Sequence, residues 1–207
     1  MVSFWCHDPG IGFRYLQQLS PRNIILTSGT LTPFKYFESE LKTNFKVQLV
    51  NNHIIDIKSQ CLSVILKKGI NNSPIQLSYE NRDNEASIKD LGNCLVNFSR
   101  VIPNGMLIFF SSYAVMNRCL EVWATSLGIE KTIIERLEEH KKTFREPKTS
   151  ELMRGVLADY AKCAKGNGAI LFTVCKGKFS EDIDFADELA RAVFVVGVPY
   201  PSLVDRR

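Results

Sequence analysis

The sequence predicts an α/β fold, a mostly parallel β-sheet with helices on both faces, and three observations predict it. Apolar, β-rich runs at 106–110, 169–175 and 191–198 have the length of strands, and AILFTVC has the unbroken apolar character of one buried on both faces. Between them lie segments whose apolar residues recur at helical spacing. Strands that alternate with helices form βαβ units, and such units stack into a parallel sheet.

Further apolar runs at 23–27, 46–50 and 61–66 also read as strands. Residues 71–84 are rich in Asn, Ser and Asp and read as a surface loop. Ile88, Leu91, Leu95 and Phe98 mark one helix, and Val115, Met116, Leu120 and Trp123 mark the next. The segment 129–142 (IEKTIIERLEEHKK) reads as an amphipathic helix with Ile129, Ile133, Ile134 and Leu137 inward and a solvated charged face. A further helix runs from Ser150 as N-cap through Leu152, Val156, Leu157 and Tyr160 to a stop at Gly166.

With 207 residues and 45% hydrophobic content, the chain can bury one sizeable core, which implies one domain with an N-terminal appendage. A net charge of +4, from 26 basic and 22 acidic residues, tolerates a phosphate backbone partner without demanding one. The six cysteines, at 6, 61, 94, 119, 163 and 175, form no CxxC pair and have no histidine at ligand spacing. That pattern argues against zinc or an iron-sulfur cluster and for small core residues in a reducing compartment. The start lacks a basic, then apolar, signal segment, and no run approaches the ~18 apolar residues of a membrane span, so a soluble intracellular protein is expected.

Three stretches carry chemistry. Residues 174–185 (VCKGKFSEDIDF) set Lys176, Lys178, Ser180, Glu181 and Asp184 directly after an apolar strand, at the carboxyl edge where open α/β sheets bind ligands. A charged surface loop is the ordinary reading of the same residues. Residues 108–113 (IFFSSY) end a strand in Ser111, Ser112 and Tyr113 just before a helix, where N–H groups and hydroxyls suit a phosphate and a ring suits a base or sugar. A helix cap beside a core tyrosine has the same composition. Residues 26–31 (LTSGTL) place Thr27, Ser28, Gly29 and Thr30 on a tight turn, whose hydroxyls can bond a carboxylate or a phosphate-bound water, or simply close the turn.

These strings, with VGVPYPSLVDRR at the end, resemble the XPD-like iron-sulfur DNA helicases of superfamily 2, in the branch with the telomere-elongation regulator and the Fanconi anaemia group J helicase. The resemblance runs almost end to end. It implies a RecA-like sheet, with residues 1–35 closing the first motor domain and 36–207 forming most of the second. It gives Thr27, Ser28, Gly29, Thr30, Glu181 and Asp184 a part in coupling to ATP and Mg2+. It gives Ser111, Ser112, Tyr113, Lys176, Lys178 and Ser180 contacts to DNA. The family's pattern is roughly CRGKxSEGxDF, so Lys176 stands for an arginine and Asp182 for a glycine. The first change keeps a charge but loses a bidentate fork, and the second adds a side chain where backbone freedom matters.

The family's cluster cysteines belong to its first motor domain, so no iron-sulfur cluster is expected in this chain. The Walker lysine, magnesium carboxylate and arginine fingers that drive phosphoryl transfer have no counterpart in these residues either. Gly177-Lys178-Phe179 is no P-loop, because position 172 is Phe and position 179 is neither Ser nor Thr. Neither GxGxxG nor GxSxG occurs, and His7, His53 and His140 are too scattered to pair. The expectation is therefore the DNA-contacting, ATP-coupling half of a nuclear 5′ to 3′ helicase, partnered by DNA and the first motor domain. The alternative is a non-catalytic module that binds single-stranded DNA or a protein.

Overall fold

Asp8 starts the first helix as capping chemistry requires: its carboxylate accepts the Gly10 N–H at 3.0 Å, and Pro9, which has no N–H to satisfy, occupies the first turn of α1 (Pro9–Gln18). The computed structural model describes residues 6–78, 80–126, 128, 130–147, 149–175 and 185–200. They fall into two compact units, one from residues up to Ser63 and one from Val64 onward.

In the first unit α1 packs on α2 (Phe34–Leu41), and a short helix α3 (Ile57–Gln60) follows. Phe13 is buried, its ring edge-on to Phe45 at 6.0 Å. Glu38 holds the chain after α2 by accepting the Phe45 N–H at 3.0 Å. The strands expected at 23–27, 46–50 and 61–66 do not form among the described residues, and Ile25, Val47, Leu49, Leu62 and Ile65 are exposed. Strand composition is not enough, because every strand needs a neighbour for its N–H and C=O groups. Cys61, expected in the core, is exposed for the same reason.

The second unit runs α4 (Glu85–Val101), β1 (Gly105–Phe110), α5 (Tyr113–Ala124), α6 (Ile133–Glu138), β2 (Lys142–Arg145), α7 (Ser150–Lys165), β3 (Ala169–Val174), a 3-10 turn (Asp187–Leu189) and β4 (Ala192–Val196). The strands form one four-stranded sheet in the order β2-β3-β1-β4, and every pair is parallel. The α/β fold expected from the sequence is thus the one observed.

Alternation along the strands divides the core into two layers. Met106, Ile108, Phe110, Ile170, Phe172 and Val174 face α4, α5 and α6. Leu107 and Leu171 face α7 with Met153 and Tyr160. Trp123 anchors the first layer, fully buried, with its ring 5.9 Å from Phe172 and its Nε1 donating to the Ile88 carbonyl at 2.8 Å. Burying each such side chain contributes roughly 1.5–3 kcal/mol.

One expectation changes in this unit. The helix expected over 129–142 is only α6, started by a capping box between Thr132 and Glu135, and Lys142 already belongs to edge strand β2. Leu137 is buried and Ile133 and Ile134 pack beside it as expected, while Ile129 lies outside the described residues. The surface loop expected over 71–84 is a loop, with no helix or strand among its described residues and most of them exposed, while Ile75 and Leu77 are half-buried against the core. Cys94 and Cys119 are buried on α4 and α5 as read. Among the described residues no helix is long and apolar enough to cross a membrane, and no group of His, Cys, Asp and Glu gathers as a metal site.

Candidate nucleic-acid interface

Parallel strands end together, so the residues after β1, β2, β3 and β4 meet along one edge. Backbone bonds stitch that edge: Ser111 N–H donates to the Val196 carbonyl at 3.2 Å, and Cys175 N–H to the Phe110 carbonyl at 2.8 Å. Gly197 takes φ +78°, and a Cβ there would lie 3.4 Å from Ser111 Oγ, so the turn after β4 sits close against the serine that follows β1.

Ser112 caps α5, its hydroxyl accepting the Val115 N–H at 3.3 Å. The hydroxyl expected to touch a nucleic-acid strand therefore already serves the helix as an acceptor, although its own proton can still be donated. Tyr113 is the first residue of α5 and is 41% exposed. Its hydroxyl points inward, donating to Glu146 Oε1 at 2.6 Å. Loss of solvent around the hydroxyl, then the bond and charge of Glu146, push the phenol up to about 12. The ring is what Tyr113 offers to solvent.

Glu146 follows β2 and is 3% exposed. Its Oε2 accepts Thr173 Oγ1 at 2.8 Å and Val174 N–H at 2.9 Å, and its own N–H donates to the Phe172 carbonyl at 2.9 Å. Arg145 beside it donates to Asn117 Oδ1, one turn along α5 from Tyr113. Neither residue belongs to a motif string of the sequence. The strand KTFR is only four residues long and follows helical text without a break, so nothing marked its end as a place where a carboxylate would turn inward.

Lys176, Lys178, Ser180, Glu181 and Asp184 lie outside the described residues. The described residues on either side of them are held: Val174 by Glu146, and Phe185 by the ring of Tyr160, edge-on at 6.1 Å. Thr27, Ser28, Gly29 and Thr30 form an exposed turn in the first unit, where Thr30 N–H donates to Ser28 Oγ at 3.2 Å and the two hydroxyls lie 3.2 Å apart. These are hydroxyls on a local turn, with no ladder behind them among the described residues.

The second unit is an α/β domain whose ligand edge lies at the carboxyl ends of its parallel strands. Residues 95–207 match the helicase C-terminal domain family, and the chain belongs to that family. It is similar over its whole length to curated proteins named regulator of telomere elongation helicase 1 homolog, at 40% identity in Aedes aegypti and 39% in Arabidopsis thaliana. The chain spans about a fifth of those relatives, 20% of each. A solved XPD helicase shares the fold, with a TM-score of 0.55 and 23% identity over 94% of this chain and 32% of that one.

Proposed function

We propose that this chain is the DNA-contacting, ATP-coupling half of a 5′ to 3′ DNA helicase of the repair or telomere-maintenance type, acting in the nucleus. Residues 1–35 then close the first motor domain, and 36–207 form most of the second. DNA and the remainder of the first motor domain are the partners. The relatives' name and the helicase C-terminal domain support this reading.

One observation carries it: Ser111, Ser112 and the exposed ring of Tyr113 stand at the edge from which the Lys176 to Asp184 segment departs. A helix start offers N–H groups to a phosphate, and a ring held by its hydroxyl offers a flat face to a base or sugar. Lys176, Lys178 and Ser180 add charge and a hydroxyl for the same backbone. In the complete motor, ATP supplies the energy for stepping, with Mg2+ neutralising its phosphates. Here Thr27, Ser28, Gly29 and Thr30 would bond carboxylates or phosphate-bound water, and Glu181 and Asp184 would carry the coupling on the second domain.

The test is binding of fluorescent single-stranded oligonucleotides of several sequences. Binding of similar strength to all of them is expected, and Tyr113→Ala should weaken each by about 1–3 kcal/mol, the value of one stacked base. A chain that binds none of them, or whose Tyr113→Ala variant binds unchanged, would leave the edge without this function.

A further inference from the structure

We propose that Glu146 is the positioning residue of this edge, holding the start of α5 and the end of β3 in one arrangement so that both meet a single DNA strand in register. The inference rests on the reading that this edge contacts DNA, and it assigns the work to a residue that the helicase motifs quoted above do not include.

The geometry is that of a three-way junction. One carboxylate accepts Tyr113 OH on one oxygen, and Thr173 Oγ1 and Val174 N–H on the other. These partners come from two elements that are far apart in sequence and both lead into expected DNA-contacting segments. α5 begins with Tyr113, and β3 leads to Lys176, Lys178 and Ser180. A carboxylate is acceptor-only, and all three partners are donors, so each bond has the right polarity.

Burying a carboxylate is costly unless its oxygens are satisfied, and among the described residues Glu146 is satisfied by three hydrogen-bond donors and no ion pair. An apolar residue would fill the same space at lower cost if packing were its only task. The junction has a second consequence. Because the hydroxyl of the part-exposed Tyr113 is committed to Glu146, the tyrosine serves DNA as a surface to pack on and not as a hydroxyl donor.

Glu146→Gln keeps the shape and one carbonyl oxygen while removing the charge, and Glu146→Ala removes the junction. Both go into the 207-residue chain, together with Tyr113→Phe and the Glu146→Gln/Tyr113→Phe pair, with circular dichroism to confirm that each variant folds. Affinity for an oligothymidylate is measured beside the titration of 13Cζ-labelled tyrosine, the Tyr113 resonance being the one lost in Tyr113→Phe. In Glu146→Gln, affinity should fall roughly 2- to 10-fold, as expected for one misplaced hydrogen bond. The Tyr113 resonance should titrate lower than in the wild type, because the charge of Glu146 is gone, yet stay above the ordinary 10.0, because burial of the hydroxyl remains. The pair should lose little more than the worse single variant, because both changes break one junction.

Wild-type binding with unchanged affinity in Glu146→Gln would overturn the positioning role alone. So would fully additive losses in the pair, or a Tyr113 titration indifferent to Glu146. Absence of wild-type binding would instead overturn the DNA reading on which the role rests.

Discussion

Gly92 on α4 lies against the indole of Trp123 on α5, so closely that a Cβ at position 92 would come within 2.5 Å of Trp123 Nε1. The same nitrogen donates to the Ile88 carbonyl, one turn earlier on α4. Two helices therefore approach through a notch that only glycine leaves open. Gly92→Ala should gain about 1 kcal/mol in helix propensity and lose about 1–3 kcal/mol to overpacking around a fully buried ring. A net loss in chemical denaturation is expected. A gain would mean that α4 and α5 shift apart freely.

Lys141 is 4% exposed at the opposite, amino-terminal edge of the sheet, and its ammonium donates to the Asn104 carbonyl at 2.8 Å. Burial holds its pKa below the ordinary lysine value. The Asn104 carbonyl also accepts the Ala169 N–H at 3.3 Å, so it keeps a partner without the lysine. Lys141→Met retains the stem and removes the buried charge. Stability should stay level or rise by up to about 1 kcal/mol, and a drop of about 2 kcal/mol in a urea titration would contradict this balance.

Alkaline pH should destabilise the second unit. Burial pushes the Cys119 thiol from 9.0 up to about 12, and Tyr113 rises from 10.0 to about 12. Cys94 and Tyr160 are raised as well, chiefly by burial. Between about pH 9 and 12 the folded chain keeps protons that the unfolded chain has lost, so stability is greatest below that window and falls across it. Lys141, being lowered, works the other way as pH rises toward 10.5, and the raised groups outnumber it. Denaturation midpoints should decline across the window. Cys119→Ala should lower the whole curve but flatten its slope.

The sequence wrote some of this architecture plainly. β1 and β3 lie within a few residues of the runs at 106–110 and 169–175, because strands inside a parallel sheet read as unbroken apolar text, and edge strand β4 lies within the run at 191–198, its composition apolar although Val193 and Val195 are exposed. The cores of α4, α5 and α7 follow from apolar spacing, although the N-cap position of α7 is Thr149, without a side-chain capping bond, and Ser150 is already the first helical residue. Edge strand β2 was hidden because KTFR is short, half-polar and continuous with α6. The runs at 23–27, 46–50 and 61–66 show the converse, since strand composition cannot supply a partner strand. At the site, the motif strings led to Ser111, Ser112 and Tyr113, whereas Glu146 emerged only from three-dimensional contact. A lone Glu ahead of Pro147 gives no sign that it will be buried among donors from α5 and β3.

The most direct test of the nucleic-acid role is the salt dependence of single-stranded DNA binding by the 207-residue chain, with and without Lys176→Ala plus Lys178→Ala. Each phosphate neutralised on a single strand contributes about 0.7 to the slope of log affinity against log salt. The account predicts binding that weakens steeply as salt rises and a double variant whose slope is shallower by about 1.4, equally on every sequence. Binding that ignores salt, or a slope unchanged in the double variant, would contradict it.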